Sequence, residues 1–218
     1  GGDSRSVQAE LASATLSVDT WSAAELKSNY RTYDNDCCMG KPAPSLSSLQ
    51  YVTDTSVYPA AEAGDVTLLF FWGKYNKGGY CHHPTYSTLQ EDFKGQIKVV
   101  GVSEDLDKAD AEAFLADPKG KYAKIFPTNF AIAWDEKKAV LAQFQAVSQQ
   151  GFLPCHSFVI NASGTIVWHQ DMSQLGATAP NWDAQMRAAI TATLAGSPVP
   201  SVGEKVVVAD SDDEEDEE

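Results

Sequence analysis

The sequence predicts an α/β fold, with a largely parallel β-sheet covered by helices on both faces. Three observations support this prediction. Short, continuous apolar runs are typical of strands that are buried on both faces. Segments with apolar residues at helical spacing alternate with these runs, as parallel strands require. The length of 218 residues suits one domain with extensions.

The predicted elements alternate regularly along the chain. After the turn residues Gly64 and Asp65, residues 66–72 form an apolar run that predicts the first buried strand. Residues 86–93 then show helical spacing and stop before Gly95. The same reasoning predicts strands at 97–102 and 130–134, helices at 107–115 and 136–147, a hairpin formed by 157–160 and 165–169, and a closing helix at 181–194. The order is β-α-β-α-β-α-β-β-α.

Two polar extensions flank this pattern. Residues 1–39 are rich in Ser and Ala, and the capping-box pattern that starts at Ser22 predicts a short helix at about 22–30. The domain itself is predicted at 40–196. Residues 197–218 contain two prolines and a block of acids, so we expect a disordered acidic tail there.

Charge restricts the classes of partner. The net charge is −14, and eight acids at residue 210 and residues 212–218 leave only −6 on the rest of the chain. This balance argues against nucleic acid, which requires a basic surface. No apolar run approaches the ~18–20 residues of a membrane span, so we expect no transmembrane segment. A protein partner is expected, and the acidic tail would suit a basic one.

The four cysteines do not resemble the dense disulfide framework of a small secreted domain. Cys37 and Cys38 are adjacent, and a disulfide between neighbouring residues is strained, so we expect two cysteines that are free or separately paired. No secretory signal is visible in the sequence. The first residue is Gly rather than Met, so an earlier targeting segment that has been removed is an alternative. We therefore expect the cytoplasm or another reducing intracellular compartment.

Four motifs resemble the thioredoxin-like fold, in its TlpA/peroxiredoxin-related branch. They are Gly-Lys-Pro-Ala-Pro at 40–44, Leu-Leu-Phe-Phe-Trp at 68–72, Val-Val-Gly-Val-Ser at 99–103, and Gly-Phe-Leu-Pro at 151–154 with the hairpin at 158–169. The resemblance spans about 155 residues in the right order. It implies a three-layer sandwich with a central mixed sheet between helices, and a cis proline at Pro154.

The redox motif of these proteins is degenerate in this sequence. In relatives, the two cysteines of Cys-x-x-Cys lie four and seven residues after the tryptophan that corresponds to Trp72, and a proline lies twelve residues after it. Pro84 matches that proline, but the motif reads Asn76, Lys77, Gly78, Gly79. Dithiol exchange needs a nucleophilic thiolate and a resolving thiol, and neither is present at these positions.

Two other cysteines could supply a thiol. Cys81 lies two residues beyond Gly79, about 200° around a helix, so it would face away from the position of a resolving cysteine. Cys155 follows Pro154, beside the predicted active-site loop. A thiol-disulfide oxidoreductase or peroxidase that uses Cys81 or Cys155 is therefore the alternative to a redox-inactive domain.

A metal site is the third hypothesis. Thiolate and imidazole ligands suit zinc or copper, and the fold would bring together Cys81, His83, Cys155 and His156. Against this, consecutive residues of a helix point about 100° apart, so a run such as 81–83 cannot converge on one ion. A structural role is the simpler reading of these histidines and of His169, and no metal or other cofactor is predicted.

The leading prediction is a redox-inactive, protein-binding or structural domain. The groove between the 72–80 segment and the Pro154 loop would bind a peptide. Its apolar contacts are predicted to come from Trp72, Tyr75, Tyr80 and Phe152, although each of the four could equally be a core residue.

Overall fold

The computed structural model describes residues 38–75, 83–116, 129–148, 156–171 and 182–199, and two short strands at 17–20 and 204–207. Only the backbone is described for those two strands and for residues 171, 182 and 183. The helix predicted at 22–30, the redox-motif positions 76–79 and Pro154 lie outside the described residues.

Eight strands and four α-helices are described. The strands are β1 Ser17–Thr20, β2 Gln50–Tyr51, β3 Thr67–Trp72, β4 Lys98–Ser103, β5 Ala131–Trp134, β6 His156–Ile160, β7 Ile166–Asp171 and β8 Glu204–Val207. The helices are α1 His83–Asp92, α2 Lys108–Leu115, α3 Ala139–Ser148 and α4 Trp182–Ala195, and a 3₁₀ turn at Glu136–Lys138 precedes α3.

The main sheet has six strands in the order β2-β5-β4-β3-β6-β7. β3, β4 and β5 are parallel, whereas β6, β7 and β2 run antiparallel to their neighbours. The predicted order of strands and helices is confirmed, and so is a mixed sheet. The sequence analysis missed β2 because a two-residue strand has no detectable periodicity.

Alternate residues of β3 build two cores, one on each face of the sheet. Leu68, Phe70 and Trp72 belong to a cluster with side chains from α1, α2 and α4. Leu69 and Phe71 belong to a second cluster with side chains of α3. Because β3 is central and parallel to β4, both of its faces are covered, which explains its unbroken apolar sequence. The result is the predicted three-layer sandwich.

The proline-rich motif at 40–44 runs along the outer edge of β7. The backbone N–H of Gly40 donates to the carbonyl of Ile166 (2.8 Å), and Ile166 donates in return to Lys41 (2.9 Å). A bridge between Pro42 and Thr165 continues this pairing. The motif therefore covers an otherwise open sheet edge, and the buried Cys38 extends the packing two residues before it.

Two described features lie within the segment from residue 197 that was predicted to be disordered. Val199 packs against the core cluster around Trp72. Further along, β8 pairs with β1 as a separate antiparallel sheet, with Ser17 opposite Val207 and Thr20 opposite Glu204. The three consecutive valines at 206–208 favour a strand, and the sequence analysis gave the neighbouring acids more weight. The acidic block itself, at 210–218, lies outside the described residues.

The segment predicted as one helix at 136–147 is divided. Residues Glu136–Lys138 form a 3₁₀ turn in which Lys137 and Lys138 have φ angles of 58° and 56°. Two successive left-handed residues are incompatible with an α-helix, so α3 begins only at Ala139. Asp135 stabilises this delayed start, because its carboxylate accepts the backbone N–H groups of Val140 (3.0 Å) and Leu141 (2.8 Å).

Candidate functional site

The carboxyl ends of the parallel strands β3, β4 and β5 meet at one edge of the sheet. We call this the carboxyl edge and define it as residues 73–75, 104–106 and 135–138, which follow the three strands. Ligands of open α/β sheets bind outside the carboxyl ends of the strands. Residues 76–82, which carry the predicted redox motif and lie outside the described residues, follow residue 75 in the sequence and precede α1.

The structure corrects the predicted binding groove at Trp72. The indole of Trp72 is 0% exposed, and its ring packs against those of His83 and Phe114, with centroids 4.9 and 5.4 Å away. Trp72 points into the sandwich because it shares a sheet face with Phe70. Tyr75, in contrast, is 78% exposed. Tyr80 and Phe152 are outside the described part of the chain.

His83, a predicted metal candidate, lies inside an aromatic cluster. Its imidazole is fully buried and makes edge contacts with Phe70, Trp72 and Phe130, with ring centroids 5.6, 4.9 and 5.7 Å away. This placement matches the structural role considered for it. Among the described residues, no group of three or more His, Cys, Asp or Glu side chains is arranged to hold a metal ion. Cys81 and Cys155 are not described, so the proposed ligand set stays a prediction.

His156, the other histidine of that set, pairs with His169 across β6 and β7. Its Nε2 lies 2.9 Å from Nδ1 of His169, and the rings are nearly parallel. Burial, together with the neighbouring His169, lowers the pKa of His156 well below 6.5. Burial lowers the pKa of His169 to about 4. The two imidazoles are therefore neutral at physiological pH, and His169 has the structural position that was predicted.

Asp105 fixes the backbone at Lys74, two residues before the 76–82 segment. Its Oδ1 accepts the backbone N–H of Lys74 (3.1 Å), and its Oδ2 accepts the hydroxyl of Ser103 (2.8 Å). Its carbonyl accepts the indole N–H of Trp134 (2.8 Å). The Nζ of Lys74 also forms an ion pair with Asp110 in α2. Through these contacts, Lys74 and Asp105 are held to β4, β5 and α2.

Glu104 is a buried carboxyl group at the centre of the carboxyl edge. It is 5% exposed, and its backbone N–H donates to the carbonyl of Trp72 (2.8 Å). Burial raises its pKa to about 8, Lys138 opposes this shift, and Asp135 and Asp105 add to it. Neither Glu104 nor Asp105 was predicted as a site residue from the sequence. The available signal was the pair of acids directly after a buried strand, where the fold places functional side chains.

Two large apolar side chains are exposed at the carboxyl edge. Tyr75 follows β3, and Leu106, which the sequence analysis also missed, follows β4 and is 81% exposed. The Nζ of Lys74 lies 4.6 Å from the centroid of the Tyr75 ring. One exposed apolar residue is ordinary, but two at the carboxyl ends of parallel strands make this edge a candidate contact surface.

This sheet order, with helices on both faces and the covered β7 edge, defines a thioredoxin-like domain. The profile of the AhpC/TSA family matches residues 39–169, well over half of the chain. The chain therefore belongs to the AhpC/TSA family, which confirms the predicted peroxiredoxin-related branch. At a significant level, the sequence matches no curated protein.

Solved structures show the same fold at low sequence identity. An uncharacterised conserved protein from Geobacillus kaustophilus is 19% identical, with a TM-score of 0.53 over 74% of this chain and 85% of that one. A mitochondrial 1-Cys peroxiredoxin from yeast is 18% identical, with a TM-score of 0.51 over 69% and 75%. A hypothetical protein from Sinorhizobium meliloti is 15% identical, with a TM-score of 0.50 over 74% and 87%. At these identities the likeness concerns the fold alone.

Helix α1 gives a reference point for the predicted thiols. The first residue of α1 is His83, so Cys81 precedes the helix by two residues and Asn76 precedes it by seven. Pro84 is its second residue, where a proline costs no helical hydrogen bond.

Every helix of the described segments is too short or too polar to cross a bilayer.

Proposed function

We propose that this chain is a protein-binding member of the AhpC/TSA family that does not exchange dithiols, and that its partner binds at the carboxyl edge. The observation that carries the proposal is the joint exposure of Tyr75 and Leu106 at that edge. Tyrosine is among the residues that most often anchor protein interfaces, and Leu106 adds exposed apolar area at the same edge. The partner would bury this surface against the sheet end.

The sequence of the loop supports the absence of dithiol chemistry. Asn76 has an amide and Gly79 has no side chain, so neither can attack or resolve a disulfide. No Cys-x-x-Cys occurs anywhere in the 218 residues. The fold is retained while the pair of thiols that defines its usual exchange chemistry is missing, and function follows the site rather than the fold.

The charge of the chain supports a basic partner. The net charge is −14, and the acids at the C-terminal end would attract a basic surface over several ångströms at low salt. Apolar contacts at Tyr75 and Leu106 would then supply short-range affinity. A basic protein segment with apolar side chains suits both features.

The test compares proteins captured by the full chain with those captured by two variants. Leu106→Ser removes an edge anchor, and Val57→Ser is the matched control, since Val57 is 60% exposed but precedes β3 and lies outside the carboxyl edge. We expect Leu106→Ser to lose a partner that the wild type and Val57→Ser both retain, with an affinity loss of about tenfold or more. Equal affinity of all three proteins for every captured protein would contradict docking at the edge.

A second candidate function is a reaction of the single thiol of Cys81. The observation that favours it is the position of Cys81 two residues before α1, because the positive end of a helix dipole stabilises a thiolate. Family membership and the fold shared with a 1-Cys peroxiredoxin agree with thiol chemistry. Attack of the thiolate on a peroxide would give a sulfenic acid and release water or an alcohol.

Peroxide consumption with a thiol reductant separates the two candidates. The protein-binding proposal expects no consumption above that of the reductant alone. Activity that disappears in Cys81→Ser and persists in Cys155→Ser would support the single-thiol reaction instead. The pH dependence of the alkylation rate of Cys81 adds an independent measurement. Because the thiolate is the reactive form, the rate of an activated thiol reaches its plateau at a lower pH than that of an ordinary thiol.

A further inference from the structure

We propose that Glu104 is a proton-binding switch that controls the turn from β5 into α3 and, through it, the charge that the carboxyl edge presents to a partner. The consequence for the partner rests on the proposed function. The switch itself rests on the arrangement of Glu104, Lys138 and the left-handed turn, and it can be tested without a partner.

The side chain of Glu104 is incompletely hydrogen-bonded. Its side chain is 3% exposed, and Oε1 is buried without a hydrogen-bond partner among the described residues. The other oxygen, Oε2, lies 3.9 Å from Nζ of Lys138. A buried carboxylate normally accepts several donors, and one distant ammonium compensates only part of its lost hydration. The site therefore favours a proton on Glu104.

The turn that carries Lys138 has a strained backbone. Lys137 has φ 58° and ψ 18°, and Lys138 has φ 56°. Side chains other than glycine rarely adopt this region, and two in succession persist only when their surroundings hold them. Asp135 holds α3 on one side through Val140 and Leu141, and the attraction between Lys138 and Glu104 acts on the other side.

The charged groups around Glu104 determine how a proton acts. Lys138 and Asp135 face it from the β5–α3 connection, and Asp105 faces it from its own connection. Lys74, at the end of β3, interacts with Asp105 and Asp110 instead. When Glu104 is ionised, it attracts Lys138 and supports the left-handed turn. When a proton binds, that attraction is lost and the turn is free to relax, which shifts the population of the two conformations.

When Glu104 binds a proton, the carboxyl edge loses one negative charge and the ammonium group of Lys138 loses its ionic partner. Lys138 is already half exposed, so its Nζ can turn towards solvent once Glu104 is neutral. The edge then becomes less attractive to a basic partner. Affinity for such a partner should fall as the pH is lowered through the titration of Glu104, because charge complementarity is reduced.

Heteronuclear NMR on the full chain tests the switch. The side-chain carboxyl carbon of Glu104 should titrate near pH 8, and the backbone amides of Lys137 and Lys138 should shift with the same midpoint. Glu104→Gln should remove the titration step from the amide shifts of both lysines. The control Glu112→Gln, at an exposed position of α2, should leave that step unchanged. Lys138→Met should raise the midpoint of Glu104, because a neighbouring positive charge is lost.

Three results would overturn the switch. They are a Glu104 midpoint in the usual range of about 4–5, amides of Lys137 and Lys138 that do not follow the Glu104 midpoint, or the same step persisting in Glu104→Gln. If Glu104→Gln does not fold, Lys138→Met still tests the switch. A Glu104 titration midpoint that is the same in Lys138→Met and in the wild type would contradict the coupling between the two side chains. If the titration is found but no partner docks at the edge, the proposed function fails and the switch stands.

Discussion

The imidazole of His156 lies edge to edge with that of His169 inside the sandwich, with the two rings nearly parallel and Nε2 of the first 2.9 Å from Nδ1 of the second. One ring donates an N–H hydrogen bond to the other, which is possible when both rings are neutral. Protonation of both rings would remove the acceptor nitrogen and place two cations in contact in a buried site. The pair therefore couples the stability of β6 and β7 to pH.

We expect this pair to destabilise the domain in mild acid. In the unfolded chain, histidine has a pKa near 6.5, whereas the folded structure lowers the pKa of His169 to about 4 and that of His156 well below 6.5. The unfolded state then binds more protons, so the contribution is present above pH 6.5 and is lost as the pH falls towards 4. The slope is at most ~1.4 kcal/mol per pH unit for each group.

Urea unfolding at pH 7.5, 6 and 5 measures this effect against His169→Gln, which removes one titrating group. The free energy of unfolding of the variant should fall less steeply with decreasing pH than that of the wild type. Glu104 has the opposite sign in this range, so the difference between the two proteins is the relevant quantity. Equal slopes would show that His169 does not titrate with folding.

Gly101 is required where β4 passes the aromatic core. A Cβ at this position would lie 2.6 Å from Cζ of Phe70 and 2.9 Å from Cδ1 of Ile132. Phe70 cannot move away easily, because it is stacked on Tyr86 with ring centroids 3.7 Å apart. Gly101→Ala should therefore lower the free energy of unfolding by about 1–3 kcal/mol.

The control for this substitution is Gly73→Ala. A Cβ there would meet only Oδ1 of Asp105, at 3.6 Å, which is ordinary contact. Denaturant unfolding should place Gly73→Ala within about 0.5 kcal/mol of the wild type. Equal losses for the two variants would argue against overpacking at Gly101.

The left-handed turn before α3 should be relieved by glycine. Lys137→Gly removes the conflict between Cβ and the backbone at φ 58°, which costs roughly 1–2 kcal/mol, and part of this gain is offset by the greater entropy of glycine in the unfolded chain. We expect a net stabilisation of about 0.5–1 kcal/mol in urea unfolding. The neighbouring Glu136→Gly, whose φ is not positive, should instead destabilise, and the same sign for both would refute the strain.

Restoring two thiols tests the alignment of the redox loop. The wild type should not reduce insulin disulfides above the dithiothreitol background. Asn76→Cys combined with Gly79→Cys should produce measurable reduction, because the two positions have the spacing of a Cys-x-x-Cys pair ahead of α1. A folded double variant without activity would show that the count from Trp72 is out of register, and wild-type activity that is lost in Cys81→Ser would favour the single-thiol reaction.

The sequence by itself determined the order of the elements and the class of fold. The runs that became β3 and β4 were located to within a residue at each end, and the helix predicted at 181–194 became α4 at Trp182–Ala195. These elements are readable because burial on one or both faces leaves a pattern within a short stretch of chain. The motifs at 40–44 and 99–103 then identified the branch of the fold.

Only the tertiary structure decided which side chains form the carboxyl edge. Trp72 was expected in a groove and lies in the core, while Leu106 was overlooked and is exposed. The pairing of His156 with His169 joins residues 13 positions apart, and the environment of Glu104 comes from Asp135 and Lys138 on another connection. Exposure and the pKa of a carboxyl group depend on neighbours distant in sequence, and a local pattern contains no information about them.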